Sequence, residues 1–262
     1  MSRINNENMI KIYSLKMERE LNERERQQAL DILTPERKAK ALRFRRSEDQ
    51  SKGLATGVLE LYALWREFGI PLSDLKIEKE EQGKPFLPGY ADAHYNLSHA
   101  GAWIVCGTGK QPLGIDVEQS AKYSERVVRR FFHSEEVSDI FSYPLQERPD
   151  IFAEYWTMKE SFMKLCGTGF YMPLSSFSTD RKTGTITILP TIEKELLSQI
   201  RKQGIPKKNP VCQWIELETG YKCAVCTIEM QEVEHHKVKL EECLAELQES
   251  NPAAVKADNL SG

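Results

Sequence analysis

Two short segments hold most of the side chains that could do chemistry. In Gly114-Ile-Asp-Val-Glu118, alternation along a strand sends Leu113, Ile115 and Val117 to one face and Gly114, Asp116 and Glu118 to the other. Two carboxylates on one strand face repel each other and are depleted in strands, so the pair invites a cation. No His or Cys lies close in sequence, so the oxygen ligands suit magnesium better than zinc. The plain alternative is an edge strand with a solvated acidic face. In Trp156-Thr-Met-Lys-Glu-Ser-Phe-Met-Lys164, Trp156, Glu160 and Lys164 lie along one line of a helix. Phe152, Tyr155, Phe162 and Met163 supply its buried side. A third carboxylate beside a cation fits a metal–diphosphate site, with Glu160 on the metal and Lys164 on phosphate oxygens. The alternative is an exposed Glu–Lys pair worth about 0.3–0.5 kcal/mol.

A basic run, Arg37, Lys38, Lys40, Arg43, Arg45 and Arg46, forms a third candidate. Thr34-Pro35-Glu36 reads as an N-cap, a proline at the first helical position and an acidic first turn. Arg37 and Lys40 then sit one turn apart and can grip one phosphate, unless the helix is simply basic and solvated.

The elements that must position these residues follow from periodicity. A strand is expected at Ile10–Leu15, a helix over 22–33, and another over 53–68, where Leu54, Val58, Leu61, Leu64 and Trp65 recur at helical spacing until Gly69-Ile-Pro71. Short apolar runs at 95–97, 103–106 and 113–117 predict strands. Helices are expected over 124–141 and 152–166, the second ending at Gly167-Thr-Gly169. Strands return at 186–189, 212–217 and 222–228, with a solvated loop over 202–210. Helices and strands thus occur in two similar rounds, divided near Lys110-Gln111-Pro112. From Gln231 the chain carries Leu240, Leu244 and Leu247 at helical spacing, and residues 251–262 show no packable pattern.

The 262 residues can bury a sizeable core, and 29% charged with 40% hydrophobic residues is ordinary for a globular protein. A net charge of -3 argues against nucleic-acid binding driven by overall charge. No eighteen-residue apolar run predicts a membrane span, and the first residues lack the apolar core of a secretory signal. Six scattered cysteines read as reduced thiols of a cytoplasmic protein. Cys223-Ala-Val-Cys226 has metal-like spacing, but residues three apart on a strand point to opposite faces.

Taken in order, Gln82-Gly-Lys-Pro85, Asn96-Leu-Ser-His-Ala-Gly101, Gly114–Glu118 and Trp156–Lys164 resemble the signature motifs of the 4′-phosphopantetheinyl transferases. The likeness runs from about Ile10 to Ile228 and is nearest the surfactin-synthetase-activating group of single chains with two related halves. It implies an α+β fold of two similar halves related by pseudo-two-fold symmetry, each a small, mostly antiparallel sheet packed with helices. Residues 1–111 would contribute to coenzyme A binding and 112–230 would hold the magnesium and catalytic residues. Residues 231–262 would be a helical, then disordered, tail that can be removed. The implied activity transfers phosphopantetheine from coenzyme A to a serine of an acyl or peptidyl carrier protein, often in secondary metabolism, by a monomer.

Carried over by position, the resemblance places Mg2+ on Asp116, Glu118 and Glu160, with Lys164 at the transferred phosphate. Ser98 and His99 would hold coenzyme A phosphates, Lys84 would help at the nucleotide, and Arg37 and Lys40 would clamp the 3′-phosphate. Glu160, or else Glu136, would take the serine proton. The stretch 120–132, with Lys122, Arg126, Arg129 and Arg130, would dock an acidic carrier. The pattern is broken at Arg37, where relatives carry Lys, and at Gly53, where they carry a phosphate-contacting threonine. A non-catalytic coenzyme A or carrier binder and a magnesium-dependent phosphohydrolase stay open as other readings.

Overall fold

The computed structural model describes residues 9–120, 123–190 and 210–250, together with 192, 194, 198, 200, 201 and 205. The chain opens with β1 (Met9–Lys16), α1 (Glu23–Ile32), α2 (Pro35–Leu42) and α3 (Ser47–Phe68). A small ribbon follows, β2 (Glu78–Lys79) and β3 (Pro85–Phe86), then β4 (His94–Ala100), β5 (Trp103–Gly109) and β6 (Leu113–Gln119). Next come α4 (Glu125–Phe131), α5 (Ser134–Ser142), α6 (Arg148–Cys166), β7 (Phe177–Thr179) and β8 (Ile186–Ile188). The last elements are β9 (Val211–Trp214), β10 (Tyr221–Thr227), β11 (Glu232–Val238) and α7 (Leu240–Ser250).

Two sheets organise these pieces, in the orders β11-β1-β5-β4 and β6-β10-β9. All pairings are antiparallel except β1 with β11, which run parallel. Strand alternation explains the layering. Ile10 and Ile12 of β1, Trp103 and Val105 of β5, Leu113, Ile115 and Val117 of β6, and Val225 of β10 share one core between the sheets. The opposite face of the first sheet, with Tyr13, Leu15, Ile104 and Cys106, packs under α1, α3 and α7. The second sheet is covered by α6, whose Met158, Phe162 and Leu165 are buried. The architecture is a mixed α/β one, each sheet bearing its own long helix.

Local chemistry accounts for most boundaries. Asn22 and Glu25 form a capping box at α1, and the Thr34 side chain accepts from Arg37 N–H at α2. Gly69 and Gly167 end α3 and α6 in the left-handed conformation (φ 62° and 68°). Helix α3 begins six residues before its first expected residue, because its polar first turn carries Glu48 and Asp49, which favour a helix N-terminus without joining the apolar stripe.

Two expectations are corrected, and one alternative reading is removed. The single helix over 124–141 is two helices. Phe132 adopts extended backbone (φ -89°, ψ 157°) while its ring packs among Phe152, Tyr155 and Trp156, and the next N–H, of His133, is taken by Glu136 Oε2 at 3.0 Å. The acidic face of β6 is not solvated: α6 covers it, and Asp116 is 3% exposed. The chain after Gln231 is not a helical appendage. Glu232–Val238 is a strand paired with β1, and α7 buries Leu240, Cys243, Leu244 and Leu247 in the core beneath α3. The loop over 202–210, Lys122 and residues 251–262 lie largely or wholly outside the described residues.

No helix among the described residues is long and apolar enough to cross a membrane. All six cysteines are free and buried, with Cys223 in the inter-sheet core and Cys226 in the core of α6. That opposite placement disposes of the C-x-x-C as a metal grip.

Candidate active site at the junction of the sheets

The two sheets meet where β4 runs beside β6. Asn96 of β4 accepts the Ile115 N–H through Oδ1 at 3.0 Å, supplying the pairing partner that the edge of β6 otherwise lacks. Two residues along, Ser98 Oγ donates to Asp116 Oδ1 at 2.8 Å. Lys164 of α6 closes the group, its Nζ lying 2.7 Å from Asp116 Oδ1 and 2.9 Å from Ser98 Oγ. Three elements distant in sequence thus converge on one carboxylate.

Gly114 makes this approach possible. A Cβ there would overlap the Ser161 carbonyl oxygen and the Leu165 amide of α6, which are backbone atoms that cannot swing aside. Only glycine lets β6 lie this close to the helix, and that closeness puts Asp116, two residues on, beside Lys164.

Negative charge remains crowded around Asp116 and Glu160 despite Lys164. Among the described residues, Asp116 Oδ2 is buried with no hydrogen-bond partner. Glu160, one turn before Lys164, has its carboxyl pushed up to about 7. Burial is the main cause, and the negative charges of Asp116 and Glu118 add to it against the opposing pull of Lys164. Crowded carboxylates with an orphaned oxygen suit a hard cation. Among the described residues, however, no three His, Cys, Asp or Glu side chains are arranged as a ready-made metal cage.

A cationic region adjoins the cluster. The imidazole of His99 is held below its ordinary value, first by desolvation and then by the positive charges of Lys164, Lys52, Lys40 and Arg37. Lys40 is likewise lowered, by burial and by Arg37 and Lys79. Lys52 and Lys79 were not singled out by sequence, since each reads as an ordinary polar-segment lysine; only the fold brings them near α2 and β4. Lys52 is paired to Glu48 at 2.8 Å. Arg37 Nη2 lies 3.1 Å from the buried Glu60.

Two expected site residues are placed otherwise. Lys84 donates to the Leu165 carbonyl at 2.7 Å, tying the loop between β2 and β3 to the C-terminal end of α6, with burial lowering its pKa. Glu136, the second candidate for the serine proton, is 1% exposed, and both its oxygens are taken. Oε1 accepts from the Thr179 N–H and hydroxyl at 2.8 Å each, and Oε2 from His133 N–H at 3.0 Å. Its counter-ion is Lys159 Nζ at 3.0 Å, which also donates to the Leu174 and Phe177 carbonyls. A carboxylate so saturated holds α5, α6 and β7 together and has no lone pair to offer a substrate. Lys159 was legible as an oddity, a lysine on the apolar side of its helix.

On α4, Arg129 pairs with Glu125 at 2.8 Å and lies over the Phe141 ring at 4.2 Å, while Arg130 covers the exposed Phe131. Arg126 stands exposed on the same helix.

Known proteins match the chain over most of its length. Residues 20–111 match the family described as 4′-phosphopantetheinyl transferase, N-terminal, and residues 112–226 match the 4′-phosphopantetheinyl transferase superfamily. The chain is 34% identical over 220 residues to 4′-phosphopantetheinyl transferase Sfp of Bacillus subtilis (strain 168), covering 83% of this chain and 92% of the relative. It is 30% identical over 235 residues to transferase psf-1 of Bacillus pumilus (87% and 94%), and 32% over 197 residues to transferase gsp of Aneurinibacillus migulanus (75% and 76%). The chain belongs to the 4′-phosphopantetheinyl transferase superfamily. The two family matches meet between residues 111 and 112, at the link from β5 to β6; β11 and α7 lie beyond them.

Proposed function

We propose that this protein transfers the 4′-phosphopantetheine moiety of coenzyme A to a serine hydroxyl of an apo carrier protein, releasing adenosine 3′,5′-bisphosphate. The observation that carries this reading is the convergence of Asp116, Ser98 and Lys164, with Glu160 alongside, next to the cations of α2 and β4. An anionic pocket beside a cationic one suits a substrate that brings a metal-chelating diphosphate and a further phosphate.

In this mechanism the serine oxygen forms a bond to the β-phosphorus, and the bond from that phosphorus to the bisphosphate leaving group breaks. Positioning and charge neutralisation dominate such transfers. Asp116, Glu118 and Glu160 would hold a magnesium ion, which would supply Lewis-acid stabilisation of the diphosphate when bound. Lys164 leaves Asp116 to meet phosphate oxygens and offset their charge as the bond breaks. Glu160 takes the serine proton, directly or through water. Arg37, Lys40 and His99 hold the 3′-phosphate, and the basic, aromatic face of α4 receives the acidic carrier. The protein acts as a cytoplasmic monomer on carriers of secondary metabolism.

Product analysis separates this activity from hydrolysis. Enzyme, coenzyme A, magnesium and an apo carrier should release adenosine 3′,5′-bisphosphate only when carrier is present, and none in excess chelator. Inorganic phosphate released without carrier would show a phosphohydrolase, and undiminished transfer in chelator would remove the metal from the scheme.

A further inference from the structure

The face of α3 that receives α2 is built for close approach and ends in a charge. Gly53, Gly57 and Glu60 recur at i, i+4 and i+7, so they share one face. A Cβ at Gly53 would lie 3.1 Å from both Cα and Cβ of Ala41. One at Gly57 would lie 2.7 Å from Leu33 Cδ2 and 2.9 Å from Arg37 Cγ. The two glycines therefore form a groove that seats α2, and the Arg37 stem passes along it. Gly53, the departure from the family pattern, is thus a packing residue of this groove.

At the end of the groove Glu60 is 4% exposed. Its Oε2 faces Arg37 Nη2 at 3.1 Å, and its Oε1 accepts from the Tyr95 hydroxyl at 3.1 Å. Tyr95 is buried on β4, three residues before Ser98. A carboxylate buried so deeply demands a partner, and this one is fixed from both sides. Arg37 keeps 19% of its side chain exposed, Nη2 is anchored on Glu60, and its buried Nε has no hydrogen-bond partner among the described residues. The guanidinium is planar, and anchoring one end sets the direction of the rest.

We propose that Glu60, backed by Tyr95, is a positioning residue that aims Arg37 at the 3′-phosphate of coenzyme A; this rests on the reading of Arg37 and Lys40 as the phosphate clamp. A free surface arginine loses much side-chain freedom on gripping an anion, whereas a pre-anchored one has already lost it on folding. The anchoring charge does not cancel the clamp, because Lys40 and Lys79 add to Arg37 around a single Glu60.

The test is calorimetry of coenzyme A and of dephospho-coenzyme A with wild type, Arg37→Ala, Glu60→Gln, Tyr95→Phe and the Arg37→Ala/Glu60→Gln double variant. Glu60→Gln should reduce the preference for coenzyme A about tenfold, as Arg37→Ala does, and the double variant should lose no more than Arg37→Ala alone. Tyr95→Phe, which keeps the ion pair, should shift the ratio the same way by less, and it carries the test if Glu60→Gln does not fold. A lowered melting temperature with an unchanged ratio in Glu60→Gln, or tighter coenzyme A binding, would overturn the proposal. An unchanged ratio in Arg37→Ala would instead remove the clamp reading, and the proposal with it.

Discussion

Truncation after Met230 should unfold the half of the molecule built on β1. The cut removes β11, and with it the hydrogen bonds along the whole outer edge of β1 from Met9 to Leu15. It also removes the Ser14–His235 bond at 2.8 Å and the stacking of His236 on Tyr13 at 5.0 Å. Loss of α7 uncovers the core side chains packed against Leu240, Cys243, Leu244 and Leu247, all between 0 and 9% exposed. At about 1.5–3 kcal/mol per buried leucine, the three leucines alone account for roughly 5–9 kcal/mol. A domain's whole stability is about 5–15 kcal/mol, so the truncated chain is left with little or none. A graded version is Leu244→Ala, which should cost about 2–5 kcal/mol and lower the melting temperature by roughly 4–20 °C. Denaturant unfolding of full-length, Leu244→Ala and truncated proteins is the assay. A soluble truncated protein that unfolds cooperatively within a few degrees of full length would refute the reasoning.

Gly114→Ala should abolish transfer, because a Cβ forces β6 away from the α6 backbone; activity retained near wild type would show that the contact can relax. Glu160 gives a pH signature in metal-free protein. Its folded value of about 7 lies above its ordinary 4.5, so its contribution is full below about 4.5 and is lost as pH rises through about 7. Chelator-treated wild type should therefore lose stability from pH 5 to pH 8 relative to Glu160→Gln, and parallel denaturation profiles would contradict this. Arg129→Glu with Arg130→Glu should slow modification of carriers from more than one pathway, most strongly at low salt; rates unchanged across a carrier panel would move the dock elsewhere.

The parts of this fold written in single-element patterns were legible in the sequence. Thr34-Pro35, Gly69 and Gly167 each mark a helix end through chemistry internal to a few residues, and each falls where that chemistry places it. The carboxylates of β6 and the Glu160–Lys164 line were legible by spacing alone. What spacing could not supply was the partner on the other side. The same alternation that turned Asp116 away from one core left open whether water or a helix met it, and the close approach at Gly114 became visible only in the fold. Strand β11 was hidden because Glu232-Val-Glu-His-His-Lys-Val is polar; it is made by a parallel partner more than two hundred residues earlier. Glu136 misled for a similar reason. A glutamate inside the helix expected over 124–141 gives no sign of the helix start it occupies, and its counter-ion, Lys159, adjoins a residue that drew attention for its own sake.

Intact-protein mass spectrometry of an apo carrier incubated with coenzyme A, magnesium and the enzyme tests the central claim most directly. The carrier should gain the mass of one phosphopantetheine on its serine, and the gain should vanish when that serine is changed to alanine or when Asp116→Asn enzyme is used. A carrier of unchanged mass, with wild-type enzyme shown by calorimetry to bind coenzyme A, would contradict the account.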